Sequence, residues 1–172
     1  YIGGRGPQMM RLAGSIADGA LFNTSNPKDL KECIELVEEG ADKEGKKLEK
    51  FDKVAYMATS IGENEEKARE KAKTVTSFIA ASAPDSTIER EKISQKRIEE
   101  IRKYLMEGNK EKAREKVTGE MIDTFSVSGR IGKLEKRVKE LKELGITQVV
   151  IGSPIGPDTE KAIEKIQKHI ID

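Results

Sequence analysis

Short apolar runs alternate along the chain with longer stretches in which apolar residues recur every three or four positions, a pattern that predicts strand and helix in turn. Tyr1 to Gly4 reads as a stub of strand running into a glycine loop, Gly3-Gly4-Arg5-Gly6-Pro7. Met9, Leu12, Ala13 and Ile16 then predict a helix over Gln8 to Asp18, with Pro7 in the first turn, where a missing N–H costs nothing. Gly19 closes it, and Ala20 to Asn23 reads as a short buried strand. Asn26-Pro27-Lys28-Asp29 starts the next helix with a capping residue and a first-turn proline. Leu30, Cys33, Ile34 and Val37 share one face of it, and Gly40 or Gly45 marks its end.

Val54 to Ile61 is the next predicted strand, followed by a helix from Glu65 to Ala81 that directs Ala68, Ala72, Val75, Phe78 and Ile79 inward. Ala83-Pro84 breaks it. From Ser86 to Val117 the chain is Lys- and Glu-rich, with a sparse stripe of Ile93, Ile98, Ile101 and Leu105, and Gly108-Asn109 divides it into two helices. Gly119 to Phe125 adds a short helix, and Ser126 to Gly129 reads as a loop. Ile131 to Leu144 is an amphipathic helix built on Leu134, Val138, Leu141 and Leu144, with Gly145 as its stop. Thr147 to Ile151 reads as a buried strand, Gly152 to Pro157 as a loop, and Asp158 to Ile170 as the last helix.

No Asn-Gly or Asp-Gly hairpin turn joins two strands, so each strand reaches the next through a helix, which requires parallel pairing. The expected class is therefore α/β, with four strand–helix units plus a helical excursion after the third strand. Right-handed crossovers in sequence order would curl these strands into half of a (βα)8 barrel. An open doubly wound sheet is the alternative.

Composition narrows the function. The 172 residues carry 32 Lys+Arg against 31 Asp+Glu, a net charge of +1 that excludes the broad basic field of most nucleic-acid binders. The longest apolar runs, such as Val149 to Ile151, are far short of the ~20 residues that span a bilayer, so no membrane partner is expected. Cys33 is the single cysteine, which removes a disulfide framework and a multi-cysteine metal site and points to a reducing compartment. The heavy Lys and Glu usage is shared by thermophilic proteins and by well-solvated mesophilic surfaces. Tyr1-Ile2 opens without an initiator Met, a signal pattern or a polar lead-in, so further sequence upstream is expected.

Two loops can carry chemistry. Gly3-Gly4-Arg5-Gly6-Pro7 lies between a strand end and a helix N-terminus, where glycines admit close approach and free N–H groups attract an anion. Arg5 adds a forked donor for phosphate or carboxylate. A tight turn needing glycine for geometry alone is an equal alternative. Gly152 to Asp158 has the same placement, but Asp158 as N-cap already satisfies the first-turn N–H groups, which favours a structural loop and leaves Ser153 as a lining residue. His169, in the last helical turn, has no expected partner; Cys33 reads as a small buried hydrophobe; Ser126 and Ser128 lack a histidine.

The wording of these loops is more specific than their physics. Tyr1 to Met10, Ala17-Asp18-Gly19-Ala20-Leu21-Phe22-Asn23, Asn26-Pro27-Lys28-Asp29, Phe125 to Gly129 and, above all, Gly145 to Asp158 resemble the luciferase-like flavin and deazaflavin oxidoreductases. Within that group the chain is most similar to the coenzyme F420-dependent methylenetetrahydromethanopterin reductases of methanogenic archaea. The resemblance implies a cytoplasmic (βα)8 TIM-barrel enzyme in which residues 1–172 form the C-terminal half, the last four strand–helix units, with a helical insertion at 84–125. It implies hydride transfer from reduced coenzyme F420 (an 8-hydroxy-5-deazaflavin) to methylenetetrahydromethanopterin, without a metal. Gly3, Gly4, Arg5, Gly6, Gln8 and Met9 match the loop that approaches the coenzyme's phosphate-bearing tail, and Phe22 and Asn23 match substrate-side positions at the barrel mouth.

The family's catalytic carboxylates belong to the first four strands, so the resemblance places no catalytic residue in this chain and implies that the chain alone is inactive. The exposed edges of a half-barrel imply a homo-oligomer or pairing with the N-terminal half. Arg5 stands where a neutral polar residue is common, and Ala83-Pro84-Asp85-Ser86 replaces a Gly-Ser-Pro-Pro-like segment. A non-catalytic half-barrel module and a fragment of an FMN-dependent luciferase-like monooxygenase are the alternatives; the Gly-Ser-Pro-Ile-Gly-Pro ending favours the methanopterin enzyme over the latter.

Overall fold

The structure is a computed structural model that describes residues 1–171, in two compact units. The first comprises Tyr1–Met57 and Lys136–Ile151, the second Ala58–Glu135 and the stretch from Gly152 on.

In the first unit, strand β1 (Ile2–Gly4) leads into helix α1 (Pro7–Ile16), strand β2 (Gly19–Phe22) into helix α2 (Pro27–Lys43), and strand β3 (Asp52–Ile61) begins. The pairings are parallel: Gly4 lies beside Phe22, and Phe22 beside Ala55. Asn26 caps α2 by accepting from the Lys28 N–H at 2.9 Å, and Pro27 occupies its first turn. Helices α1 and α2 cross at their glycines. A Cβ on Gly14 would stand 1.9 Å from the Val37 carbonyl oxygen, and one on Gly40 1.9 Å from that of Arg11. This close crossing decides which face of α1 is covered. Met10, Ala13 and Gly14 are buried, while Met9, Leu12 and Ile16 of the expected apolar face are 42%, 41% and 68% exposed.

In the second unit β3 ends and helix α3 (Glu65–Ala81) follows, capped by Asn64. Residues 84–125 then hold four helices: α4 (Asp85–Arg90), α5 (Gln95–Met106), α6 (Lys110–Glu115) and α7 (Gly119–Phe125). The charged stretch thus has three helices instead of the expected two, because a break follows Arg90 as well as Met106. Ile88, Ile93, Ile98, Ile101, Met121 and Phe125 pack with Ala72 and Ala80 of α3 into one core. Phe78, expected inward, is exposed; Lys110 lies 6.0 Å from its ring centroid. Small residues, Thr76, Ser77 and Ala80, take the buried face.

The expected loop at Ser126–Gly129 is corrected: Val127–Gly129 is strand β4, parallel to β3 with Ser60 beside Ser128. The described residues therefore contain five strands, not four. The strand escaped notice because Ser128 within it and Ser126 just before it look like loop residues. Their hydroxyls bond each other at 2.8 Å, and Ser126 Oγ donates to the Ile122 carbonyl at 2.7 Å, which permits their burial.

Helix α8 (Ile131–Glu143) and strand β5 (Gln148–Ile155) follow. β5 runs four residues beyond the expected end, through the cis Ser153–Pro154 bond, and is half-exposed where full burial was expected. Gly145, at φ +80°, makes the left-handed stop after α8. The final helix α9 (Thr159–Ile166) is capped by Asp158 and widens into π-type turns at Gln167–Ile171. His169 does have a partner, contrary to expectation: Nδ1 lies 2.9 Å from Glu135 Oε1.

Candidate functional site

Because Gly4 and Phe22 are neighbours in the sheet, the loops after β1 and β2 emerge side by side, at the carboxyl ends of parallel strands where α/β proteins bind ligands. The Asn23 N–H donates to the Gly4 carbonyl at 3.3 Å and ties the two loops together. Gly6 begins α1 with extended backbone (φ −70°, ψ 145°), no side chain caps the helix, and its first turn holds no acidic residue. The positive end of this helix dipole is thus left to solvent or a ligand. A Cβ on Gly6 would meet nothing within 4 Å, so the approach to the loop is open. Gly3, Gln8, Met9 and Asn23 are exposed and Gly4 half-buried around it.

Arg5 turns inward. Its Nη2 lies 3.2 Å from Asp29 Oδ2, with side chains only 10% and 6% exposed respectively. Thr24 Oγ1 donates to the same carboxylate oxygen at 3.2 Å. Phe22 is fully buried in the first unit, beneath the loop, which leaves Asn23 as the member of that pair facing solvent. Ser25 is buried, and its carbonyl accepts from Arg137 Nη1 of α8 at 2.7 Å. Two polar atoms here, Arg5 Nη1 and Ser25 Oγ, are shut off from solvent without a hydrogen-bond partner among the described residues. Sequence reasoning missed Thr24, Ser25 and Asp29 as neighbours of Arg5. The signal available was a run of polar residues directly after a strand that reads as buried.

The second unit offers an open cleft of about 450 Å³ between the start of α3 and the start of α9, lined by Ile61, Gly62, Pro157, Lys67 and Lys161 among others. Its helix ends are already satisfied. Asn64 accepts from the Lys67 N–H at 2.9 Å, and Asp158 accepts from the Lys161 N–H at 3.2 Å. Hydrogen bonding to Lys165 holds the Glu63 carboxyl below its ordinary range, as Lys161 does for Asp158. Acidic and basic side chains alternate around this cleft, and the two N-termini differ in kind: α9 has a side-chain cap, α1 does not. Ser153 is exposed on β5.

Cys33 is buried on α2, and burial, reinforced by the nearby Asp29 charge, pushes its thiol up to about 11 from an ordinary 9.0. The fold therefore favours the neutral thiol, a contribution complete below pH 9 and lost as pH rises through 11. At pH 8 the native thiol is expected to react with a disulfide reagent at least ~100-fold more slowly than in denaturant. Rates within a factor of three of each other, read from released thiolate absorbance, would contradict the burial of Cys33. Among the described residues no group of three or more His, Cys, Asp or Glu is arranged to hold a metal ion. No helix among them is long and apolar enough to cross a membrane.

Comparison with known proteins gives consistent results. The family model for luciferase-like monooxygenases matches residues 1–148. The 5,10-methylenetetrahydromethanopterin reductase of Methanopyrus kandleri is 42% identical over 99% of this chain and 49% of its own length. That of Archaeoglobus fulgidus is 42% identical over 99% of this chain and 53% of its own. The structure of the coenzyme F420-dependent tetrahydromethanopterin reductase from Methanopyrus kandleri superimposes with a TM-score of 0.89 at 41% identity, over 98% of this chain and 49% of that one. An F420-dependent secondary alcohol dehydrogenase shares the fold at a TM-score of 0.73. The chain spans about half the length of the curated relatives it matches.

Proposed function

The chain belongs to the family of luciferase-like monooxygenases, and on that premise we propose that it supplies the coenzyme-binding loops of a coenzyme F420-dependent 5,10-methylenetetrahydromethanopterin reductase. The observation that carries the reading is the uncapped, glycine-lined start of α1, within a chain 42% identical along 99% of its length to such a reductase. In this reading residues 1–172 are the C-terminal half of a cytoplasmic barrel enzyme, and 84–125 are a helical insertion in it.

The residues present fit the group. An anionic tail needs unpaired N–H donors and room, and the α1 start has both. Gly3, Gly4 and Gly6 admit the tail against the backbone, Gln8 and Met9 border it, and Arg5, paired with Asp29, lies on the inner side of the loop. Asn23 faces the substrate side, with Phe22 as the buried floor beneath it. When bound, the deazaflavin supplies the hydride; the chain's own task is to hold and orient donor and acceptor. No free carboxylate stands in this loop, since Asp29 is engaged by Arg5 and Thr24, and no residue here is positioned as an acid or base.

The test is a fluorescence titration of the oxidised coenzyme with the chain, run beside a turnover assay with methylenetetrahydromethanopterin. Saturable quenching with turnover at background is the expected pair of results. No quenching overturns the coenzyme reading, and turnover near that of an intact reductase overturns the division of labour.

The reading also includes association, either of two copies or with the complementary half of the barrel. Met9, Leu12 and Ile16 sit at helical spacing on one exposed face of α1, a stripe that costs ~25 cal/mol per Å² while it faces water. Light scattering at rising concentration is expected to show a mass above 19.1 kDa, and Leu12→Glu with Ile16→Glu is expected to return it to that of one chain. A monomer at all concentrations rules out association of copies and leaves only pairing with a complementary half.

A further inference from the structure

Arg137 acts far from its own place in the chain. On α8 it follows Leu134 by three positions and precedes Leu141 by four, and both leucines are fully buried. This stripe of the helix thus has its apolar cover without an arginine. The guanidinium, 19% exposed, reaches instead to the loop after β2, 112 positions away in sequence. Nη1 donates to the carbonyl of the buried Ser25 at 2.7 Å. Nε donates to Glu140 Oε2 at 3.1 Å, which fixes the fork from behind. Further holds on the same loop come from the first two strand–helix units. The Asn23 N–H donates to the Gly4 carbonyl at 3.3 Å, the Asn26 N–H donates to Thr24 Oγ1 at 3.3 Å, and Thr24 and Arg5 share Asp29.

We propose that Arg137 is a positioning residue for the candidate site, acting through the Ser25 carbonyl to keep the loop after β2 where Asn23 faces the ligand. The proposal rests on the coenzyme reading above and adds to it a residue from outside the two loops. Asn23 carries both the exposed side chain at the strand end and the N–H that ties this loop to the glycine loop. A shift at Ser25, two residues on, is therefore passed to both loops. A charged donor holds a carbonyl more strongly than a neutral one, and the planar guanidinium restrains direction as well as distance. An apolar residue at 137 would dock α8 equally well and would take this donor away from Ser25.

The test measures backbone amide exchange by NMR and coenzyme F420 binding by fluorescence quenching, both on the whole chain. Arg137→Met keeps the stem and removes the donors. It is expected to quicken exchange at Asn23 and Asn26 roughly tenfold and to weaken coenzyme binding about fivefold. Amides where α1 crosses α2, such as Gly14 and Val37, are expected to keep their rates. Arg137→Lys can still donate to one carbonyl, and is expected to bring loop exchange and affinity back to within about threefold of the unsubstituted chain. Lys136→Met removes a neighbouring charge that is 79% exposed, and is expected to change neither readout. Equal quickening at the crossing and in the loop marks a merely structural role and overturns the proposal. Unchanged loop exchange in Arg137→Met, or faster exchange with unchanged affinity, also overturns it, and each leaves the coenzyme reading standing. Absence of quenching by the unsubstituted chain overturns both.

Discussion

Gly14→Ala is expected to abolish the packing of α1 on α2, lowering stability by ~3 kcal/mol or more. The added methyl would stand 1.9 Å from the Val37 carbonyl oxygen and 2.8 Å from its carbon, and both are backbone atoms that no rotamer change can move. The helices must separate, which uncovers Met10, Ala13, Val37 and Ala41. Gly40→Ala is expected to do the same from the other side, against the Arg11 carbonyl. A loss of this size is a large part of the ~5–15 kcal/mol that holds a domain folded. Urea unfolding is the measurement, with Gly132→Ala in the first turn of α8 as control. A methyl there has nothing closer than Glu135 Oε2 at 3.7 Å, and its effect is expected to be neutral to ~1 kcal/mol stabilising. A Gly14→Ala midpoint equal to that of the unsubstituted chain would show that the two backbones do not approach as described.

Asp29→Ala is expected to cost ~3–5 kcal/mol by leaving the Arg5 guanidinium buried without its counter-charge. For a chain of this length that corresponds to a fall in melting temperature on the order of 10 °C. Thr24 loses its acceptor as well. The double variant Arg5→Met with Asp29→Leu is expected to recover most of the loss, because two matched apolar side chains leave no charge behind. Additive losses in the double variant would mean that the pair is open to solvent. At exposed pairs such as Lys103 with Glu107, truncation of the lysine is expected to leave the melting temperature nearly unchanged.

Where the sequence-based reading failed, packing rather than propensity decided. On α1, the helical spacing selects Met9, Leu12, Ala13 and Ile16, yet of these only Ala13 is covered, beside Gly14, because small residues let two helix backbones touch. On α3, the same preference for large residues placed Phe78 inside, and the structure buries Thr76 and Ser77. The strand Val127–Gly129 is invisible to pattern because its serine, Ser128, is made apolar in effect by bonding Ser126 just before the strand. In the site, the open glycine loop and the proline-started helix were legible. The inward turn of Arg5 was not, since Asp29 lies 24 positions away and only the pairing of β1 with β2 brings its helix near.

The sequence by itself determined the alternation of strand and helix, the caps at Asn26 and Asp158, the stop at Gly145 and the family, because each depends on residues within a few positions or on wording kept along the whole chain. Tertiary structure alone decided which face of α1 is covered, that a fifth strand forms, and which donors near the candidate site remain unsatisfied. Those outcomes depend on what stands opposite a residue in space: a carbonyl 1.9 Å from a missing methyl, a hydroxyl across a strand, a carboxylate from the next helix.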